Sequence, residues 1–211
     1  ISTEYLRTST KLFSALYDVD NNILGNQYKN DNNYKVNLFS LKPIFTLNKT
    51  HYSFKIAINT LLYKIEFKDF INNSVNANEF IITPEFYFNY KLNRKAKLSA
   101  SYQYHAILPE EDKLFSGIIQ NDYRSFSSNT LSLEFLQTHS YTFEYAYNDF
   151  FNFKKLHINI KHNYKPNNYF YDSSINQNIT VNNLFLASLS TKDYNLNLFG
   201  EIYFHPLKTT F

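Results

Sequence analysis

The sequence predicts an all-β fold, namely an antiparallel up-and-down transmembrane β-barrel, or a segment of one, with about nine or ten long strands. Three observations predict it. Apolar and polar side chains alternate along several runs, these runs are longer than ordinary strands, and short turns alternate with long polar loops. Alternation with a period of two is typical of strands because successive side chains point to opposite faces. Residues 1–211 are predicted to form one domain.

The clearest alternating hairpin covers residues 80–106. The apolar face of its first run carries Phe80, Ile82, Pro84, Phe86, Phe88, Tyr90 and Leu92, and the other face carries Ile81, Thr83, Glu85, Tyr87, Asn89 and Lys91. In the second run Ala96, Leu98, Ala100, Tyr102, Tyr104 and Ala106 oppose Lys97, Ser99, Ser101, Gln103 and His105. Asn93 and Arg94 between the runs suit a tight hairpin turn.

The length of this hairpin indicates a membrane strand. Its first run has roughly 13 residues, whereas an ordinary strand has about 5 or 6. Such a run spans roughly 40 Å, or about 28 Å along the membrane normal when tilted by about 45°. Because that matches the hydrocarbon thickness of a bilayer, the hairpin is predicted to span a membrane, with Tyr and Phe near the run ends forming aromatic girdles.

Composition restricts the classes of function. Aromatic residues make up 19% of the chain, and no run of apolar residues is long enough for a transmembrane helix. The absence of cysteine excludes disulfides and thiolate metal sites. The net charge of +3 comes without a basic block, so no nucleic-acid partner is predicted. Ile1 opens directly into a strand-like run with no signal peptide before it, so the sequence is either a mature chain or a piece of a longer one, and we expect the second.

The first half of the chain alternates between strands and polar loops. Strands are predicted at residues 2–17, 34–48 and 51–67, and loops at residues 18–33 and 68–77. Pro43 is expected to mark a bulge because proline cannot donate to a strand ladder. A second bulge is expected near Leu61 and Leu62, where the apolar residues change from one alternating set to the other.

The second half contains the longest predicted loop, residues 107–129, which holds about 23 residues without alternation. Strands are predicted at residues 131–148 and around residues 156–161, followed by a loop at 164–178. Residues 179–190 and 194–204 are predicted to form a final hairpin. Because bacterial barrels have short periplasmic turns and long outer loops, the turn at Asn93 is expected to face the periplasm and the 107–129 loop the outside.

Several motifs in residues 82–161 carry a family resemblance. The first motif is Pro84 followed by Asn-Tyr-Lys-Leu-Asn at residues 89–93, and the second is Leu98 with Tyr102. The third is Asp-Tyr-Arg-Ser-Phe at residues 122–126. The fourth is the pattern of Asn129, Leu131, Glu134, Ser140, Tyr141 and Phe143. These residues resemble the barrel region of TonB-dependent receptors, especially those of Bacteroidetes. The resemblance implies a partial barrel without its plug domain, located in the outer membrane of a Gram-negative bacterium and engaged in energised uptake of an unidentified nutrient. The partners it implies are outer-membrane lipid, a plug domain, the TonB system and a surface lipoprotein.

The candidate binding residues follow from this topology. In the outer loop, the candidates for ligand contact are Glu110, Glu111, Asp112, Asp122, Tyr123 and Arg124, because exposed loops carry recognition. The polar faces of the strands predict a set of lumen-facing residues, which are Glu85, Gln103, His105, Glu144, Asn159 and Lys161.

No catalytic residue, cofactor or metal site is predicted, and the chain is not expected to be an enzyme. His157 and His162 are spaced so that a strand puts them on opposite faces, and Ser140 and His139 are neighbours that point apart. Two other functions remain open at this stage. One is a small self-contained outer-membrane barrel with a structural or adhesion role, and the other is a soluble β-sheet protein that binds a ligand.

Overall fold

The computed structural model describes residues 1–69, 74–110, 113–115, 117–129, 132–176, 178–204 and 209–210. The all-β prediction is confirmed, since strands account for 76% of the structure. A short 3-10 turn lies at Asn26–Tyr28. None of the described residues belongs to a helix of the length and apolarity that a bilayer crossing requires.

The described residues form fourteen strands in two sheets. In chain order they are β1 (Ser2–Ser14), β2 (Asn30–Lys42), β3 (Ile44–Asn48), β4 (Tyr52–Lys68), β5 (Ser74–Lys91), β6 (Ala96–Ile107), β7 (Ile119–Asp122), β8 (Ser125–Asn129), β9 (Leu136–Asp149), β10 (Lys154–Lys165), β11 (Asn168–Asn176), β12 (Ile179–Ala187), β13 (Thr191–Phe204) and β14 (Thr209–Thr210). The large sheet has the order β1-β2-β4-β5-β6-β9-β10-β13-β14, with β3 also paired to β4. The small sheet has the order β11-β12-β8-β7.

All pairs of neighbouring strands in the large sheet are antiparallel. β2 and β3 act as one strand, because the residue offset to β4 is the same on both sides of Pro43. The proline therefore interrupts the ladder without inserting an extra residue, and the bulge predicted there is wrong. Within the described residues β1 pairs only with β2, so the sheet is open and no closed barrel is present.

The bulge predicted near Leu61 and Leu62 is also wrong. β4 keeps one register with β5 from the pair Tyr52–Tyr90 to the pair Lys68–Ser74. What changes along β4 is its surroundings: Leu62 is exposed on one face, whereas Ile65 and Phe67 point to the other face and are buried. The apolar set changes because a folded-back segment of the chain covers the second face at this end of the strand.

The connections at the two ends of the large sheet differ in length. Short turns at residues 49–51, 92–95 and 150–153 lie at one end, called the turn end. The strand ends that are joined by residues 15–29, 69–73, 108–135 and 166–190 lie at the other end, called the loop end. Except for residues 69–73, these connections are much longer than the turns, so the structure shows the asymmetry of loop lengths that the sequence predicted.

The long connections contain the small sheet, which the sequence did not predict. β7 and β8 lie in the predicted loop 107–129, and β11 lies in the predicted loop 164–178. The predicted final hairpin is wrong, because β12 pairs with β11 and β8 whereas β13 pairs with β10. The β12–β8 pair is parallel, so the fold is not antiparallel throughout.

A small hydrophobic core lies at the loop end, where the segment after β6 folds back across β5 and β4 to reach β2. Tyr34, Ile65, Phe67 and Leu114 are buried together. The residues packed around them are Val36, Tyr63, Ala77, Leu108, Leu133 and Phe135. The core therefore joins the end of the large sheet to the connection 108–135.

Candidate functional site

One face of the large sheet, called the apolar face, carries exposed apolar side chains over the central part of its strands. It is continuous from strand to strand, since Phe86 lies opposite Tyr102, which in turn lies opposite Tyr141. Phe80 is 61% exposed and Leu196 is 68% exposed. Exposed apolar patches of this extent mark contact with a membrane or another protein. Members of the face are Phe54, Ile56, Ile58, Leu62, Phe80, Ile82, Phe86, Phe88, Leu98, Phe143, Ile158, Ile160, Leu196 and Leu198.

Aromatic rings form two rows across the apolar face at the loop end. In the first row His162 stacks between Tyr141 and Tyr194, with ring centroids 5.8 Å and 4.3 Å away. In the second row His139 lies 4.8 Å from Tyr104. The rows are joined by contacts of Tyr102 with Tyr141 and His139 and by the contact of His139 with Tyr164. Aromatic rows at one level of a sheet are typical of the interfacial girdle of a membrane barrel.

Aromatic residues also mark the turn end of the apolar face. Tyr52 and Tyr90 lie opposite each other there, and the turn after β9 carries Phe150 and Phe151, which are exposed. Charged side chains on this face lie towards the strand ends: Lys64 and Glu66 lie on the loop side of Leu62, and Lys192 lies opposite Tyr164 at the second aromatic row. The strands between these boundaries therefore present a band without charged side chains.

The opposite face, called the polar face, carries the six residues that the sequence predicted to face a lumen. The pairings are Glu85 with Gln103, Glu144 with Asn159, Lys161 with Thr142 and His105 with Thr138. The structure thus places all six on one face of the sheet. That this face lines a lumen stays a prediction.

Hydrogen bonds connect the polar face into a chain of side chains. Lys42 forms an ion pair with Glu85 at 2.5 Å, and the Tyr87 hydroxyl donates to Glu85 at 3.4 Å. Gln103 donates to Tyr87, and its carbonyl oxygen lies 3.3 Å from Nε2 of His105. Lys42 and Tyr87 were not predicted as site residues, although the alternation of β5 places Tyr87 beside Glu85.

A second polar pair lies further along the same face. Nε2 of His157 lies 3.2 Å from Oε1 of Glu144. His162 instead points to the apolar face and stacks with tyrosines, so the two histidines do lie on opposite faces. Within the described residues no cluster of three His, Cys, Asp or Glu side chains could hold a metal ion.

The predicted outer-loop residues fall into separate places. Asp122, Tyr123 and Arg124 form the turn between β7 and β8, where the Arg124 amide donates to Asp122 at 2.8 Å and its guanidinium lies 4.9 Å from the centre of the Tyr123 ring. Glu110 forms an ion pair with Lys113 at 3.0 Å. Glu111 and Asp112 lie outside the described residues.

A buried carboxylate organises the turn between β9 and β10. Asp149 accepts a hydrogen bond from Lys95 at 2.7 Å and another from the side chain of Asn152 at 2.8 Å. It also accepts from the amide of Phe151. The hydrogen bonds from Lys95 and Asn152 hold the pKa of Asp149 well below its usual range.

The site that the sequence did not predict is a cavity of about 750 Å³ at the loop end, between β5 and β6. Its walls come from both strands and from residues 132–135, which fold back over the core. Only that long-range fold creates the cavity, so no local pattern in the sequence signals it. Comparisons of the chain with protein-family models, with curated proteins and with solved structures found no match.

Proposed function

We propose that this chain forms part of the wall of an outer-membrane β-barrel receptor, which takes up a nutrient with energy supplied through TonB. In this proposal the apolar face contacts outer-membrane lipid and the polar face lines the interior. The turn end faces the periplasm, and the loop end, with the small sheet, faces the outside.

The observation that carries the proposal is the charge-free band of the apolar face, bounded by aromatic residues at both ends. On β5 the band runs from Phe80 to Tyr90, a rise of about 33 Å along the strand and about 24 Å along the normal at a tilt of about 45°. The apolar band of outer-membrane barrels is about 25 Å tall. A soluble protein would have to expose the same band to water at a large free-energy cost.

The polar face supports an aqueous interior. A lipid-facing charge near the midplane of a barrel wall costs about 2–4 kcal/mol for Lys or Arg. The strands that carry the apolar band place Lys55, Lys97 and Lys161 on the polar face, together with Glu85 and Glu144. A sheet with its apolar face towards lipid therefore suits a bilayer, whereas a sheet with its polar face towards lipid would bury these charges in it.

The receptor part of the proposal rests on the motif resemblance of residues 82–161 and on the long connections at one end of the sheet. A receptor of this kind uses a plug domain, the TonB system and a surface lipoprotein as partners. The exposed turn of Asp122, Tyr123 and Arg124 is its candidate contact with the nutrient, because it combines an aromatic ring, a cation and an anion at the tip of the small sheet.

A second function is favoured by the number and direction of the strands. With β2 and β3 taken as one interrupted strand and the two-residue β14 left out, the described large sheet has eight long strands. β1 runs towards the loop end and β13 runs away from it, so the two edges would pair antiparallel. Eight is the smallest strand number of outer-membrane barrels. A self-contained barrel with a structural or adhesion role is therefore the alternative.

Membrane fractionation tests what the two proposed functions share, which is the location of the chain in the outer membrane. The chain is expressed behind a secretion signal in a Gram-negative host, beside a soluble periplasmic protein as the control. We expect the chain to sediment with the outer membrane and to resist extraction by urea and by alkaline carbonate. Recovery in the soluble fraction without detergent would favour a soluble ligand-binding protein instead.

The flanking gene sequence separates the receptor from the self-contained barrel. The receptor predicts a plug-coding segment ahead of residue 1 and further strands in the same reading frame. A reading frame that encodes only a signal peptide and these strands would contradict the receptor and leave the eight-stranded barrel.

A further inference from the structure

The wall of the large sheet opens between β5 and β6 at the loop end. These strands pair only from Glu85–Gln103 to Lys91–Lys97. Beyond that point β5 continues to Ser74 paired with β4 alone, and β6 continues to Ile107 paired with β9 alone. Pro84, the first residue of β5 beyond the pairing, has no N–H to donate to a neighbouring strand. The two strands therefore separate and leave a cleft.

The cavity of about 750 Å³ occupies this cleft. Pockets for small molecules typically measure about 300–1,000 Å³. Ile65 and Ala77 form one part of its wall, and Leu133 and Phe135 form another. The Phe135 ring packs 5.0 Å from the ring of Tyr63, so the segment 132–135 is held on the core.

The cleft reaches both faces of the sheet. Phe80 and Ile82 belong to the apolar face and are exposed there, yet both line the cavity. Glu79 and Ile81 line it from the opposite side of the same strand. A bound molecule could therefore contact the lipid side of the wall with one end and the polar side with the other.

The charge of the cavity is negative. Glu79 and Glu134 line it, and none of its described lining residues is basic. Neither carboxylate forms an ion pair in the described part of the chain. The negative charge of Glu134 also acts on Tyr169, whose pKa is raised to about 12 by burial first and by this carboxylate second.

The side-chain amide of Asn167, one of the lining residues, is already used within the protein. It donates to the carbonyl of Phe135 at 2.8 Å and accepts from the backbone amide of Gln137 at 3.1 Å. These bonds hold residues 135–137 to the connection between β10 and β11. The other lining groups are two carboxylates, the Gln137 side-chain amide, the Ser132 hydroxyl, aromatic rings and aliphatic side chains.

We propose that the cleft binds an amphiphilic amine. The protonated amino group contacts Glu79 and Glu134 through charge-assisted hydrogen bonds, and the apolar body lies against Phe135, Tyr104 and the apolar face. Aromatic rings attract a cation that approaches their faces. Acidic walls disfavour fatty acids, phosphates and other anions. The site is separate from the Asp122–Arg124 turn and does not depend on coupling to TonB.

Fluorescence anisotropy with dansylcadaverine, a primary amine with an aromatic body, tests this proposal. The full chain is purified in dodecylmaltoside micelles, and empty micelles give the baseline for partition of the probe. N-acetylated dansylcadaverine has the same body without the charge. We expect saturable binding of the amine, about tenfold tighter than binding of the acetylated probe.

Variants locate the binding. The double substitution Glu79→Gln and Glu134→Gln keeps the side-chain shapes and is expected to reduce the affinity for the amine to that of the acetylated probe. Glu4→Gln removes a carboxylate on β1, which β2 and β4 separate from β5 and which does not line the cleft, and is expected to leave binding unchanged. Equal affinity of the two probes for the unmodified chain, or probe binding no greater than in empty micelles, would overturn the proposal without any variant. So would full binding by a folded double variant.

Discussion

Asp149 connects two neighbouring turns at the turn end of the large sheet. Its carboxylate is buried, and it accepts hydrogen bonds from Lys95, Asn152 and the backbone of the following turn. Lys95 lies in the turn between β5 and β6, directly before β6 begins. The Asp149 side chain therefore joins this turn to the turn between β9 and β10.

The pH dependence of stability is predicted from the lowered pKa of Asp149. Because the folded pKa lies below that of the unfolded chain, the carboxylate stabilises the fold fully above about pH 4, and this stabilisation is lost as the pH falls below about 4. We expect Asp149→Asn to lower the free energy of unfolding near neutral pH, and the difference from the unmodified chain to shrink in acid. Urea unfolding of the chain in micelles at several pH values measures this.

A matched control is Glu201→Gln, which removes an exposed ion pair with Lys155. Exposed pairs contribute little to stability. An Asp149→Asn effect that is no larger than the Glu201→Gln effect, or that grows in acid, would contradict the assigned role of Asp149.

The segment between β6 and β7 is a structural element that hydrogen bonds hold against β2 and the residues just before it. The Gly117 amide donates to Oδ1 of the Asn30 side chain at 2.8 Å, and the Ile118 amide donates to the carbonyl of Gln27 at 2.7 Å. Asn32 donates to the carbonyl of Leu114. This element covers the core and the polar face of the sheet at the loop end.

Gly117→Ala is predicted to loosen this segment. A Cβ atom at Gly117 would lie 2.9 Å from the carbonyl oxygens of Gln27 and Lys29, so the backbone must move. Overpacking typically costs about 1–3 kcal/mol, and we expect hydrogen exchange of the Ile118 amide to accelerate by roughly tenfold or more.

Gly200→Ala provides the control, because a Cβ atom there meets nothing within 4 Å. We expect it to leave exchange at Ile118 unchanged. Unchanged exchange in Gly117→Ala would mean that the segment does not pack against residues 27–29 as described.

The elements also show what the sequence could predict. Long strands such as β5 were predicted because both of their faces follow one simple alternation. The face changes on β4 were interpreted as a bulge, because the segment that buries Phe67 comes from residues far along the chain. The small sheet was missed for the same reason: its strands are short, and Thr180 pairs with Ser125 across a long sequence separation.

The candidate site could also be predicted only in part from the sequence. The six polar residues of the strands share a face because alternation fixes side-chain direction within a strand. Lys42 joins them through a contact between non-adjacent strands, which a single alternating run does not encode. The cleft depends on where the pairing of β5 and β6 stops, and only the three-dimensional structure gives that point.

At the scale of the whole molecule, the sheet separates apolar from polar chemistry across its thickness. The apolar face has exposed aliphatic and aromatic side chains between two aromatic boundaries, and the polar face has ion pairs and amide hydrogen bonds. The central claim is that the apolar face lies in lipid and the polar face lies in water.

Phe88 and Asn89 give the most direct test of this claim, because they are neighbours within the Phe80–Tyr90 stretch of β5 and point to opposite faces. The chain has no cysteine, so Phe88→Cys and Asn89→Cys each introduce a unique thiol. In native outer membranes we expect a water-soluble maleimide to label Asn89→Cys, and to label Phe88→Cys roughly tenfold or more slowly, since a thiol in lipid neither ionises nor meets the reagent. In denaturing detergent both should label equally. Labelling of Phe88→Cys as fast as Asn89→Cys in native membranes would contradict the assignment of the two faces.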